Sequence, residues 1–323
     1  MTLLLSRDEV RDLVSLQDAI ELLDGLARDE AAGRNVHMPT FGGAHAGTGG
    51  LLRTVGGAAL GAGVAGLRSG GIALVHETAR GGGLLAIMGY GFSRLRVAAS
   101  VALGARYVAR PNCRAVGVLG AGPLALESLR GLCAELPIER ANIFSPTPEH
   151  RANLAARASD QLGIPVTAVV SMEDAIAGVD VIAMATSAYY PLLTAEHLCP
   201  GMFVTGVGAA PEIDASVYLA VDQFATFSRQ QELTYHAPKP ERPSQAESGL
   251  HLLLRTGQVA EESIVNVGSI ALGEVKAKHG PEAVTLYRDP QGGASDIALA
   301  NLAYQRAKER GRGTEFDFGG QDS

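Results

Sequence analysis

No stretch of this 323-residue sequence supplies the roughly 20 consecutive apolar residues that a membrane-spanning helix needs, so no membrane partner is expected. Charge is sparse, at 19% of residues, while 46% are hydrophobic, a balance that excludes an intrinsically disordered chain. Basic residues are neither abundant nor clustered. Twenty-seven Lys and Arg stand against 34 Asp and Glu, for a formal net charge of -7, and no basic stripe marks a nucleic-acid surface. The 3 cysteines, Cys113, Cys133 and Cys199, are odd in number and lack metal-ligand spacing. They read as reduced, buried thiols of a cytoplasmic protein, with no metal site. The start, MTLLLSRDEVRDLV, turns acidic and amphipathic at once, without the basic opening and longer apolar stretch of a signal peptide. Glycine is plentiful, at 40 residues, but has no three-residue period, which excludes collagen and assigns the glycines to turns and close backbone approaches.

The length suggests two domains. Residues 7–33 carry Leu13, Leu16, Ile20, Leu23 and Leu26 at helical spacing and close on Gly33. Short apolar runs at 51–55, 64–68, 72–76 and 84–88, separated by glycine turns such as 80–83, read as strands, and 93–109 as a helix. From Ala115 the pattern changes to a buried strand running into a glycine turn over 115–122 and strands at 141–145, 166–169, 179–186 and 202–207, alternating with helices at 124–136, 148–162 and 172–177; 218–224 is expected to add a sixth strand. This alternation predicts an α/β fold with a doubly wound parallel sheet. Val284–Tyr287 reads as one more strand, and Ile297–Arg310 as a last helix that opens behind Asp296 and returns to the first domain.

Gly120-Ala121-Gly122-Pro123-Leu124-Ala125 follows a buried strand and opens a helix. In this G-x-G-x-x-A arrangement Gly120 permits the tight turn, Gly122 admits a pyrophosphate against the backbone, and Ala125 lets the helix pack on the strand. The phosphates then meet the unpaired amides of a helix N-terminus. A βαβ context makes this a dinucleotide site rather than a bare glycine turn. After the second strand the chain reads Ser145-Pro146-Thr147-Pro148, with no acidic residue before Glu149 to bind ribose hydroxyls. Ser145, Thr147 and Arg151 suit a 2′-phosphate, which favours NADP(H) over NAD(H); the same segment also makes a good turn and helix cap.

Several short motifs, in order and spacing, make the chain resemble the ornithine cyclodeaminase/mu-crystallin family over roughly residues 1–316. They are Met38-Pro39, Ala65-Gly66-Leu67-Arg68, Ser93-Arg94-Leu95-Arg96-Val97-Ala98-Ala99, Ala109-Arg110-Pro111-Asn112, Ala185-Thr186-Ser187, Pro200-Gly201-Met202, Gly206-Val207-Gly208, Leu272-Gly273-Glu274-Val275 and Gly293-Ala294-Ser295-Asp296. The resemblance implies a central Rossmann domain, taken as 113–289. It also implies an α+β dimerisation and substrate domain, taken as 1–112 with 290–323, in a homodimer. It implies a nicotinamide cofactor held also by Thr186, Ser187 and Val207, and hydride chemistry on a small amino, imino or 2-oxo acid. A cyclodeaminase that recycles its own NAD, and a non-catalytic ligand-binding protein of the mu-crystallin kind, are the alternatives.

Departures from the family pattern decide between these. An arginine that many members carry after Met-Pro is replaced by Phe41, which would then line the substrate site with Arg53. The family's lysine is replaced by Arg68, and the aspartate expected after Gly208 is missing from Ala209-Ala210-Pro211-Glu212-Ile213-Asp214. Glu212 or Asp214 could substitute for it, but both read more as the first turn of the next helix. An arginine cannot shuttle protons, but its planar fork can hold a carboxylate. Arg68 is therefore the candidate substrate anchor, or else a structural arginine paired with an acid. Arg96 matches the family's arginine before two alanines and would face cofactor phosphates or substrate. His76 is the candidate proton donor. Asp296 is expected to cap the last helix near the nicotinamide.

Overall fold

The computed structural model describes residues 1–38, 41–44, 51–79, 82–208, 210–236, 247–289 and 292–318, with the backbone alone for 41–44, 51–53 and 236. In chain order the first elements are β1 (Thr2–Leu5), α1 (Arg7–Val10), α2 (Leu16–Ala31), β2 (Asn35–His37), β3 (Phe41–Ala44), β4 (Leu51–Ala59), β5 (Val64–Ser69), β6 (Ile72–Glu77), β7 (Leu84–Gly89) and α3 (Ser93–Val108). There follow β8 (Ala115–Leu119), α4 (Pro123–Glu135), β9 (Arg140–Phe144), α5 (Pro148–Leu162), β10 (Val166–Ala168), α6 (Met172–Ile176), β11 (Val181–Met184), β12 (Phe203–Gly206), α7 (Ala215–Ala220) and β13 (Gln223–Thr226). The last are α8 (Arg229–His236), α9 (Gly249–Arg255), β14 (Ile264–Asn266), α10 (Val267–Ala271), β15 (Thr285–Arg288), α11 (Ala294–Glu309) and β16 (Thr314–Phe316). The chain divides into two compact units, Met1–Arg96 with Gly292–Ser323, and Val97–Gln291. The division falls at Arg96 rather than at 112.

The first unit is built on a sheet of order β16-β1-β7-β6-β5-β4-β2, with β3 paired to β4. Strands β4 to β7 form an antiparallel meander. The single helix expected over 7–33 is two. Ser15 takes extended backbone angles and accepts from the Asp18 amide, a capping box that starts α2 afresh. Helix α11 lies on β4, β5 and β6. Its approach depends on Gly57, where a Cβ would stand 2.6 Å from the Ala294 nitrogen. Alanines at 294, 298, 300, 303 and 307 keep the helix slim, and all are buried.

The second unit is a parallel sheet of order β10-β9-β8-β11-β12-β15-β13-β14. Its strands are buried on both faces and so read as continuous apolar runs. Val116, Val118, Ile182, Phe203, Val204 and Leu286 form its centre, each contributing roughly 1.5–3 kcal/mol by burial. The strand expected at 218–224 starts later, at Gln223. Asp214 caps a helix by accepting from the Ser216 amide at 2.8 Å, and that helix takes Tyr218–Ala220. Strand order reverses between β8 and β11, the switch point at which doubly wound sheets bind ligands.

Candidate functional site

Arg68 stands on β5 between Val55 of β4 and Ala73 of β6. Both neighbours are buried, so alternation along the strand turns Arg68 to the face that α11 covers. Its head meets Asp296, which is completely buried. Arg68 Nε donates to Asp296 Oδ2 at 3.1 Å, Arg96 Nε lies 3.3 Å from Oδ1, and the Tyr90 hydroxyl donates to Oδ1. Asp296 is the third residue of α11 rather than its cap. Gly293, at φ 110°, turns the chain so that the helix starts at Ala294, and its amide donates back to Asp296 Oδ2 at 3.3 Å. Burial works against ionisation of Asp296, but Arg96 and Arg68 outweigh it, and the carboxyl is held below its usual range. Burial, reinforced by Asp296, pushes the Tyr90 hydroxyl well above its ordinary range, so it remains a donor.

Two guanidiniums share one carboxylate. The Arg68 guanidinium carbon lies 5.0 Å from the centre of the Tyr90 ring, which orients the fork. Only Nε of Arg68 bonds a described residue. Its two terminal nitrogens form a parallel pair of donors, and the side chain is 18% exposed. A pair of this kind can hold one carboxylate bidentately.

His76 is not brought to this cluster. It alternates with the buried Val75 and so lies on the other face of the sheet, with Nδ1 3.2 Å from the Gly82 carbonyl. The backbones of Phe41 and Arg53 lie on paired strands β3 and β4; their side chains are outside the described residues, as are Pro39, Ala209 and residues 80 and 81 of the turn at 80–83. Tyr90 escaped sequence reasoning, because nothing local marks a tyrosine between two glycines as the partner of an acid 206 residues away.

In the second unit Gly120 follows β8 at φ 115°, and a Cβ there would collide with the Ala185 carbonyl oxygen at 2.3 Å. Gly122 caps α4, Pro123 takes its first position, and a Cβ on Gly122 would meet nothing within 4 Å. An open approach to a helix N-terminus thus stands at the end of a central strand, beside Ala121, Leu124 and the backbone of Thr186, and fits a pyrophosphate. At the end of β9, Ser145 is buried. Arg151 Nη1 donates to the Ser145 and Pro146 carbonyls at 2.8 and 3.4 Å, so part of this guanidinium braces the loop. Thr147 caps α5 without a side-chain hydrogen bond. Ser187 and Val207 follow β11 and β12 at the same edge of the sheet.

A second buried group lies nearby in this unit. Arg288 at the end of β15, Glu232 of α8 and Glu212 of the turn Ala210–Glu212 are all fully buried. Glu212 does not belong to the next helix, which Asp214 caps. Among the described residues no set of three or more His, Cys, Asp or Glu is placed to hold a metal ion, and no helix is long and apolar enough to cross a membrane.

The model of the ornithine cyclodeaminase/mu-crystallin family matches residues 25–311. A protein of Rhizobium meliloti (strain 1021) named as a dehydrogenase is 28% identical over 223 residues, which is 69% of this chain and 65% of that protein. The chain thus spans just under two thirds of that relative's length. A Delta(1)-pyrroline-2-carboxylate reductase of Bacillus cereus is 24% identical over 259 residues, covering 77% of this chain and 74% of the reductase. The solved structure of Thermococcus litoralis Delta(1)-pyrroline-2-carboxylate reductase, in complex with NADH and L-proline, superimposes with a TM-score of 0.84 at 22% identity, over 98% of this chain and 100% of that one.

Proposed function

The chain belongs to the ornithine cyclodeaminase/mu-crystallin family, and from that membership we propose an NAD(P)H-dependent oxidoreductase that moves hydride to or from a C=N or C=O carbon beside a carboxylate. The observation that carries this reading is the Arg68–Asp296–Arg96–Tyr90 cluster, in which the two terminal nitrogens of Arg68 bond no described residue. Arg68 grips the substrate carboxylate bidentately. Asp296 holds both guanidiniums in place. Tyr90 holds Asp296 from the buried side.

The turn 120–124 would hold the pyrophosphate of a nicotinamide dinucleotide, with Thr186, Ser187 and Val207 at the same edge of the sheet. When bound, that group supplies or accepts the hydride. With no acid at 145–148 to pair with a ribose diol, the loop favours NADP(H), with Ser145, Thr147 and Arg151 as its candidate ligands. Reading the substrate as a small imino or 2-oxo acid agrees with the activity for which the pyrroline-2-carboxylate reductases are named. A cyclodeaminase is disfavoured because arginine replaces the family's lysine at position 68. A homodimer through the first unit's sheet is part of the same reading, since Ile72 on β6 is 55% exposed; light scattering showing only monomer at micromolar concentration would contradict it. The three free thiols suit a reducing, cytoplasmic compartment, although of the three, all expected to be buried, only Cys113 is; Cys133 is half-buried and Cys199 exposed.

Titration with NADPH and NADH, followed by turnover with cyclic and open-chain imino acids and 2-oxo acids, tests the proposal. Net oxidation of the dinucleotide matched by amino or hydroxy acid formation is expected. Ammonia release with no net change in the dinucleotide would identify a lyase, and binding without turnover a carrier.

A further inference from the structure

The sheet of the first unit holds a histidine that the function proposed above does not use. His37 of β2 pairs with Gly57 of β4, and Gly57 lies two residues from Val55, the partner of Arg68. Paired residues share a face of a sheet, as do residues two apart on one strand. His37 therefore stands on the same face as Arg68, the face that α11 covers, whereas His76 stands on the other. The imidazole is clamped from one side. Its Nε2 is 2.7 Å from Glu30 Oε2 of α2, and the two side chains are 4% and 9% exposed. An ionised carboxylate only accepts hydrogen bonds, so Nε2 supplies the hydrogen. Nδ1 is left as the nitrogen that can release or take up a proton. It is buried and bonds no described residue, a state that a protein interior seldom tolerates without a use for it.

Position ties this nitrogen to the Arg68 cluster. A Cβ on Gly57 would stand 2.5 Å from the Val36 carbonyl oxygen and 2.6 Å from the Ala294 nitrogen. The first residue of α11 thus rests where β2 and β4 meet, beside the peptide that links Val36 to His37. Asp296, which accepts from Arg68 at 3.1 Å, is two residues further along the same helix. His37 and Arg68 flank the first turn of one helix on one face of one sheet, and each has nitrogen that bonds no described residue. The other members of the cluster are poor proton donors. Arg68 and Arg96 stay charged, and Tyr90 gives its hydroxyl hydrogen to Asp296.

We propose that His37, oriented by Glu30, is the proton donor to the substrate nitrogen or oxygen. The proposal rests on the reading of Arg68 as the anchor of the substrate carboxylate. As hydride from the reduced dinucleotide reaches the C=N or C=O carbon, the π pair moves to the nitrogen or oxygen, and that atom takes the proton of Nδ1. The imidazole is left neutral, keeps its Nε2 hydrogen on Glu30 and regains a proton from solvent. In the oxidising direction Nδ1 takes the proton of the amine or hydroxyl as the hydride leaves. Glu30 is a positioning residue, since it acts through the ring.

Two measurements on the full chain test this. The first compares wild type with His37→Gln on a 2-oxo acid or neutral imino acid, and on an N-methyl iminium acid, whose reduction needs hydride but no proton. On the first substrate the variant should lose roughly 10²- to 10⁴-fold in kcat, the usual contribution of a general acid, with dinucleotide Kd unchanged. On the N-methyl iminium it should lose far less. Glu30→Gln should show a smaller loss of the same selectivity. The second measurement follows the ring nitrogens of His37 by NMR as an unreactive cyclic amino acid or 2-hydroxy acid is added, with and without dinucleotide. The Nδ1 signal should move on binding. A normal kcat in His37→Gln, or an equal loss on both substrates, overturns the proposal. So does an unmoved Nδ1 signal with the ligand bound to wild type, which decides the matter where the variant fails to fold or the iminium is not accepted. Failure of the wild type to bind or turn over any imino or 2-oxo acid overturns the Arg68 reading itself, and this inference with it; a raised KM in Arg68→Ala beside a normal His37→Gln overturns this inference alone.

Discussion

Replacing Arg68 with alanine separates two effects that the structure allows to be weighed. Among the described residues Arg68 makes one charge-assisted bond, from Nε to the buried Asp296 at 3.1 Å. After its removal Asp296 keeps Arg96, the Tyr90 hydroxyl and the Gly293 amide, so the carboxylate is not stranded. A hydrogen bond to a charged group is worth roughly 1.5–3 kcal/mol, and the stability loss should stay within that range. The substrate loses more, because both terminal nitrogens of the fork are lost to its carboxylate. A charge-assisted bidentate contact of about 2–4 kcal/mol corresponds to a rise in KM of roughly 30- to 1000-fold. Steady-state kinetics with an imino or 2-oxo acid at saturating dinucleotide, beside a thermal melt and a dinucleotide Kd, reads all three quantities. The expected result is a large rise in KM, an unchanged Kd for the dinucleotide and a modest drop in Tm. Arg68→Lys should recover only part of the KM, since an ammonium gives a point charge without the fork. A well-folded Arg68→Ala protein with normal KM would remove Arg68 from substrate binding and leave it a structural partner of Asp296.

Asp296→Asn should cost about 3–5 kcal/mol by removing the buried carboxylate that Arg96 and the half-buried Arg68 share, measured by denaturant unfolding. Because the folded Asp296 pKa is lowered, its contribution is present above the unfolded carboxylate value and is lost as pH falls through the folded one, so the gap between wild type and variant should close in acid. Glu212 has the opposite sign. A carboxyl raised to about 7 in the fold contributes stability that is full below about 4.5 and is lost as pH rises towards 7, on the order of 3 kcal/mol. The unliganded wild type should therefore lose stability relative to Glu212→Gln between pH 5 and 8, and parallel pH profiles for the two proteins would contradict this. Gly122→Asp should fold normally, since a Cβ there meets nothing within 4 Å, yet abolish dinucleotide binding by placing a carboxylate at the pyrophosphate. Unchanged affinity in that variant would refute the assignment of the turn.

Local signals were the legible ones. The strand-turn-helix at 115–135 needs only a buried run, two glycines and Pro123, all adjacent in sequence. The meander strands at 51–59, 64–69, 72–77 and 84–89 are likewise set by neighbouring turns. The outer strands of the same sheet were not legible, because β1 finds partners in β7 and β16, as in the pairing of Leu3 with Ala86 and Glu315. No periodicity in an exposed Thr-Glu-Phe announces such a contact. Val217 to Ala220 form an apolar run too short to tell helix from strand, and the cap at Asp214 decided it. At the site, Arg68, Arg96 and Asp296 could be named from residue type and motif, but not their mutual pairing, since a fold alone brings position 68 to position 296. One signal for the second cluster was available and passed over. Arg288-Asp289 ends an otherwise apolar strand, and a charge in that place is either exposed or paired in the interior.

The most direct measurement is the fate of the dinucleotide during turnover. Purified full chain is mixed with stoichiometric NADPH, or NADH, and a cyclic imine bearing a carboxylate on its C=N carbon. Loss of reduced nicotinamide absorbance is compared with the amount of cyclic amino acid formed. The account predicts one dinucleotide oxidised per product molecule, with the rate at low substrate falling by the Arg68→Ala factor given above. Complete retention of the reduced dinucleotide across the imino and 2-oxo acid panel, in protein shown to bind it, would contradict the central claim.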